Sequence, residues 1–393
     1  MVFNLPGRLF LISAAQIASP SCTLSAKGSG VDDAPSFLSS VHSPSCPTIT
    51  IPSGITLNIA SRLDMTGLKD KQIVLQGKIK FNPNITYWSQ NAFTIPFQTQ
   101  VTFWLLGGQN ISLSGGGTID GSGQAWYDAY ANNNSLPRPI ILSLYQAKDV
   151  TIENISMLNG PEWNNLVNEA QNVLYSNITI SALSTSKNSA SNSDGWNTYR
   201  SDNVTIRDST IVNGDDCVAF KPNSTNIVVK NLDCTGSHGI SVGSLGQYPG
   251  TYDIVQNIYI KNIKMSKAQN GARIKAWAGP NVGSGIVKNI TFENFVESAV
   301  DNPVVIDQCY MTTAAVCTQN PSNTYIQDIW FKNITGTGTK STVASLSCSP
   351  DGRCSNVHVD DINLKYPSGS AKYTCQNVNL TGNSASLFIC TTT

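Results

Sequence analysis

The sequence predicts an all-β fold, a right-handed parallel β-helix with a short N-terminal capping helix. Three observations carry that expectation. First, a seven-residue pattern recurs: Asn or Asp, an aliphatic, any residue, an apolar, any residue, Asn or Asp, then usually an apolar. It runs from Asp149-Val-Thr-Ile-Glu-Asn-Ile155 to Asn356-Val-His-Val-Asp-Asp-Ile362, with a looser copy starting at Asn110. Copies start at 149, 172, 203, 226, 257, 289, 328 and 356, so they lie 23, 31, 23, 31, 32, 39 and 28 residues apart. Such periods belong to solenoids, propellers or arrays. Second, the apolar residues of each copy alternate, as in a half-buried strand, and Asn/Asp bound it where αL-tolerant turn residues belong. Third, no useful apolar stretch of period 3.6 separates the copies. That disfavours a parallel βαβ sheet, whose crossovers need helices. A 23-residue coil is also too short for the four strands of a propeller blade.

The elements follow from the N-terminus. Residues 1–18 carry Arg8 and then Leu9-Phe-Leu-Ile-Ser-Ala-Ala15, which reads as a signal-peptide h-region with a small-residue exit after Ala15 or Ala18. Residues 19–393 are expected to form one β-helix domain. Asp32-Asp33-Ala34-Pro35 reads as a helix start, with Asp33 as cap and Pro35 in the first turn. An amphipathic helix there would cover the open end of the coil stack and its unpaired edge. Coils then stack at roughly 4.8 Å, and loops of uneven length leave one face, which in solenoids often binds. Segments 120–140 and 300–325 are the longer candidates for walls of a cleft.

Composition narrows the classes. Charged residues make up 13%, and Lys+Arg and Asp+Glu are 25 each. A net charge of zero argues against nucleic acid as partner. No apolar run reaches the 18 or more residues of a membrane span. Ten cysteines behind an export signal imply disulfides, and spacing pairs Cys22–Cys46, Cys217–Cys234, Cys309–Cys317, Cys348–Cys354 and Cys375–Cys390. Asn-x-Ser/Thr sequons at Asn84, Asn133, Asn223, Asn379 and six further asparagines suit a secreted glycoprotein.

Chemistry concentrates near mid-chain, in Asn192-Ser193-Asp194-Gly195, Asn213-Gly214-Asp215-Asp216-Cys217, Gly236-Ser237-His238-Gly239 and Arg273-Ile274-Lys275. Asp215 and His238 each fall 12 residues past a repeat start (215 − 203 and 238 − 226). Equal phase in consecutive coils puts them on one face, about one coil rise apart. Adjacent aspartates in a strand would point to opposite faces, so both reach one cleft only if the chain bends, which Gly214 permits. Cys217 would hold that distortion through Cys234. Three crowded carboxyls cannot all ionise cheaply, so one pKa should rise. Acids beside cations suggest acid–base chemistry on an anionic substrate. Taken singly, each motif also has an ordinary reading as a solvated turn or strand exterior.

In this order and spacing, Asn192-Ser-Asp194, Gly214-Asp-Asp216, Ser237-His-Gly239 and Arg273-Ile-Lys275 resemble the four signatures of the polygalacturonases, glycoside hydrolases of family 28. Ser237–Tyr248 and Asn192–Arg200 are most similar to the fungal exo-acting members. Ser193 and Ser237 depart from the usual Thr and Gly. The resemblance implies hydrolysis of α-1,4-galacturonosidic bonds of pectin with inversion, releasing galacturonic acid. It implies Asp215 as general acid and Asp194 and Asp216 as the water-activating pair, with carboxyls roughly 6.5–9.5 Å apart. His238 would tune Asp215, Asn192 would shape the site, and Arg273 and Lys275 would bind the galacturonate carboxylate. No metal or organic cofactor is implied, and a secreted monomer acting on polysaccharide is expected. Alternatives are an endo-polygalacturonase, a xylogalacturonan hydrolase, a Ca²⁺-dependent pectate lyase, and a non-catalytic polysaccharide-binding β-helix. Trp196, Tyr199, Tyr248 and Trp277 are candidate sugar platforms.

Overall fold

The computed structural model describes residues 21–392; the expected signal segment lies outside them. The chain forms a right-handed parallel β-helix in which 25 strands join one continuous sheet. Two ladders run its length. One carries the seven-residue repeats in long strands such as Leu142–Leu158, Gln171–Ser181, Asp202–Val212, Ser224–Thr235 and Tyr252–Ser266, each parallel to the next. The other consists of shorter strands, Asn165–Asn168, Trp196–Tyr199, Val218–Phe220, Ile240–Leu245, Asn270–Trp277 and Asn302–Tyr310, paired in that order.

The repeat sets the register. Tyr175, Ile206, Val229, Ile260, Phe292 and Phe331 lie opposite one another in successive coils and are fully buried. Burying such a side chain contributes about 1.5–3 kcal/mol, and a one-residue slip would turn the whole column outward. Both Asn/Asp positions of all eight copies have φ between +49° and +58°. That is the left-handed region these residues tolerate best after glycine. Their place differs from expectation. They do not end strands; they bend them, and pairing continues on both sides of the corner, as across Asp149 and Asn154 within Leu142–Leu158. Their amides also form ladders between coils, including Asn177 to Asn154 (2.6 Å), Asn231 to Asp208 (2.7 Å) and Asn262 to Asn231 (2.9 Å). A turn residue that also bonds its copy one coil away explains why Asn recurs rather than Gly.

The helix Ala34–His42 closes one end, with Ala34, Phe37 and Val41 buried and Phe37 edge-on to Trp104 at 6.0 Å. Asp33 precedes it but does not cap it. Its carboxylate accepts from the amides of Lys27 and Asn58, both at 2.8 Å, and ties the helix to the first coil. Asp32 instead accepts from Ala34 and Ala60. All five disulfides pair as the spacing suggested.

Candidate active site

The acids stand where the chain enters the short strands: Asp194 before Trp196–Tyr199, Asp215 and Asp216 before Val218–Phe220, and His238 before Ile240–Leu245. Parallel pairing of these strands superposes the three entries. Gly214 is needed here for a different reason from a left-handed bend. It bridges Ser191 of the preceding coil, and a Cβ on it would sit 2.7 Å from the Ala190 carbonyl oxygen. The two departures from the family pattern both use their hydroxyls to hold these turns. Ser193 Oγ accepts from the Gly214 amide at 2.9 Å and donates to the Ala190 carbonyl. Ser237 Oγ donates to the Asp215 carbonyl at 2.9 Å.

Asp194, Asp215 and Asp216 each bring a carboxylate oxygen within 4.8 Å of the others. Their nearest oxygens are thus closer than the 6.5–9.5 Å between carboxyls that the resemblance implies. Two of the acids are chain neighbours and the third is one coil away, so the spacing is set by one strand-to-strand step. Asp216 is buried with both oxygens occupied: Lys275 Nζ donates at 2.7 Å and Ser241 Oγ at 2.7 Å. Burial pushes its pKa up, but Lys275, Arg273 and Lys221 together outweigh burial and hold it at about 2. Asp194 moves the other way. Burial first, and then the charge of Asp215, raise it well above the ordinary carboxylate range. The expected raised acid of the trio is therefore Asp194.

Asp215 is the most exposed of the three, with 17% of its side chain accessible. It accepts from His238 Nδ1 at 3.1 Å, from its neighbour's amide at 2.8 Å and from Asn192 Nδ2 at 3.2 Å. Burial lowers the His238 pKa, but the hydrogen bond and charge of Asp215 outweigh it, so the imidazole stays protonated to higher pH than usual. Asn192 is itself held by Arg138, which donates to its Oδ1 at 2.7 Å and to the Ser191 carbonyl at 2.6 Å.

The two signature cations separate. Lys275 is buried against Asp216, so its charge is already matched. Arg273 is half-buried, lies beside Ser241 in register and stands 5.3 Å over the Tyr310 ring. A third cation, Lys221, lies at the exit of the strand Val218–Phe220 and lines the same cavity as the acids. It makes no ion pair among the described residues, rests 5.3 Å over Trp163, and is lowered in pKa by burial and by Lys275. Glu162 lines the cavity too; burial lifts its carboxyl to about 7 despite the nearby Arg138. Sequence reasoning missed Lys221, Glu162, Arg138, Gln98, Gln100 and Gln247. Of the proposed platforms, Trp277 lines the cavity, where it is joined by Tyr310, Trp196 is fully buried in the core, and Tyr199 stacks on Phe97 at 3.9 Å. Tyr248 is exposed beside a second hollow. Tyr130 and residues 134–138 of the first expected wall border an adjoining hollow, and Tyr310 and Met311 of the second reach the acids.

The three carboxylates form the one acidic group, among the described residues, close enough to share a cation. Lys275, Lys221 and Arg273 match their charge, a setting that suits an anionic ligand better than a divalent ion.

The profile of Glycosyl hydrolases family 28 matches residues 42–387. An exopolygalacturonase of Cochliobolus carbonum is 44% identical over 95% of this chain and 86% of its own. A probable exopolygalacturonase X of Neosartorya fischeri is 42% identical over 93% and 88%. Among solved structures, the endo-xylogalacturonan hydrolase of Aspergillus tubingensis superposes with a TM-score of 0.86 at 33% identity, covering 95% of this chain and 99% of that one. The polygalacturonase of Erwinia carotovora, at 20% identity, shares the fold with a TM-score of 0.67 over 94% and 99%.

Proposed function

The chain belongs to Glycosyl hydrolases family 28, and from that membership we propose that it is a secreted, monomeric exopolygalacturonase that removes galacturonic acid from chain ends of homogalacturonan. The observation that carries the reading is the trio of acids within 4.8 Å beside three cations. The names of its close relatives point the same way. Five disulfides suit an oxidising compartment. No helix among the described residues is long and apolar enough to cross a membrane.

Asp215, the acid the cleft exposes, protonates the glycosidic oxygen. Asp194 and Asp216 hold the attacking water; oxygens 4.8 Å apart or less leave both within hydrogen-bond reach of one water. Protons of such a set belong to the set rather than to one residue. Transfer of the Asp194 proton to Asp215 as substrate seats arms the acid and the base together. Direct attack by Asp216 is disfavoured, because Lys275 and Ser241 hold both its oxygens, each of which keeps a lone pair to accept from the water. Single displacement with inversion follows, despite the short spacing. Lys221 and Arg273 receive the substrate carboxylate, the role that the family resemblance implied for Arg273 and Lys275. His238 and Asn192 position Asp215.

The test is a product profile on polygalacturonate with proton NMR of the first product. Monomer from the earliest time point, released as the β-anomer, is expected, and Asp215→Asn should lower turnover by about 10² or more. Mixed oligomers at first sampling would overturn the exo reading; α-anomer first would overturn inversion. A second reading, xylogalacturonan as substrate, draws on the likeness to the Aspergillus tubingensis enzyme and predicts xylose-bearing products from the substituted polymer.

A further inference from the structure

Asp194, Asp215 and Asp216 line a small cavity. Their cavity measures about 240 Å³, below the roughly 300–1,000 Å³ of sites for drug-sized ligands. A second hollow of about 640 Å³ lies beside it, lined by Phe97, Tyr199, Arg200, Tyr248 and Tyr252 among others. The two share a floor. Lys221 faces the acids while Pro222, next in the chain, faces the second hollow; Gln247 faces the acids while Tyr248 faces the second hollow. Among the described residues, only Gln98 lines both. Its Nε2 donates to Gln247 Oε1 at 2.8 Å, across 149 residues of sequence.

The segment that carries Gln98 is built to hold that position. Ile95 and Phe97 are buried in a small apolar cluster with Ile140, Trp163 and Leu166. Phe97 lies flat on Tyr199, centroids 3.9 Å apart. Gln98 and Thr99 both adopt left-handed φ, +50° and +54°. That conformation is costly for such side chains unless the surroundings hold it. The turn projects the Gln98 amide over the line where the two hollows meet.

We propose that the Gln98–Gln247 hydrogen bond is the wall that makes this cleft end-selective: it cuts one continuous groove into a terminal sugar pocket at the acids and a closed-off, tyrosine-lined hollow. This rests on the exo reading above and names the residues that enforce it. Neither long segment singled out from the sequence supplies this barrier; a seven-residue stretch, 94–100, does. With the bond removed, a galacturonan chain can run past the acids into the second hollow, where Tyr248 and Tyr252 offer rings and Arg200, paired through one nitrogen with Glu169 at 3.2 Å, offers its remaining donors to further uronates.

The experiment compares wild type, Gln98→Ala, Gln247→Ala and the double variant on polygalacturonate, scoring the ratio of oligomers to monomer in the first few per cent of conversion. That ratio does not depend on how much total activity each variant keeps. We expect it to rise about fivefold in either single variant, the scale of one neutral hydrogen bond, with little further rise in the double, because both changes remove the same bond. Wild type giving monomer while all three variants also give monomer would overturn the proposal and leave the exo reading intact. Wild type giving oligomers would overturn the exo reading and this proposal with it. Additive effects in the double variant would refute the shared bond as the barrier.

Discussion

Lys275→Met separates two roles for the signature lysine that the sequence alone could not. Lys275 Nζ lies 2.7 Å from Asp216 Oδ2, with side chains 6% and 1% exposed. Removing one partner of so buried a pair strands the other charge, at about 3–5 kcal/mol. Asp216 can escape that cost only by taking a proton. Its pKa of about 2 is a balance in which burial is the largest influence and Lys275 the first of the opposing ones. Without Lys275, burial dominates and the pKa climbs. A protonated Asp216 no longer activates water, so turnover should fall by about 10² or more.

The assays are thermal unfolding and steady-state hydrolysis of polygalacturonate. Lys275→Met should lower both Tm and kcat. Adding Asp216→Asn should restore most of the stability and none of the activity, because the orphaned charge is gone but so is the base. A variant with unchanged Tm and kcat but a raised KM would refute this reasoning. Lys275 would then be a substrate ligand, as the family resemblance implies.

Lys221→Met should shift the balance: KM for polygalacturonate rises about tenfold or more, as when a charged hydrogen bond is lost, while Tm falls less than in Lys275→Met, since Lys221 acts on the acids by charge alone and forms no ion pair among the described residues. Equal losses for a neutral substrate analogue would sink it. His238 adds a pH signature. Its folded pKa is raised above 6.5, so its contribution to stability is complete below 6.5 and is lost as pH rises through the folded value. The Tm gap between wild type and His238→Gln should therefore close as pH climbs above 6.5; a gap that stays constant or widens contradicts the assignment.

The scaffold was legible because one residue type does two jobs in it. Each repeat Asn or Asp turns the chain in the left-handed region and bonds its counterpart a coil away, so the pattern recurs in the sequence with the period of the structure. The acids were legible for the same reason, since parallel pairing brings the same phase of successive coils together. What the alternation could not resolve was the short-strand face. Trp196, Asn197 and Thr198 are all buried, because the outward side is covered and the inward side is core. A run buried on both faces has no period to read, and so Trp196 was mistaken for a candidate sugar platform. Lys221 was within reach, since it leaves the same three-residue strand that Asp216 enters. The Gln98–Gln247 contact was not. Loop closure over so long a separation leaves no local pattern, and two glutamines carry no spacing that marks them as partners. A solenoid shows its coils and its catalytic phase in the sequence, whereas the walls that decide which end of a polymer enters are set by side chains that meet only after the coils have stacked.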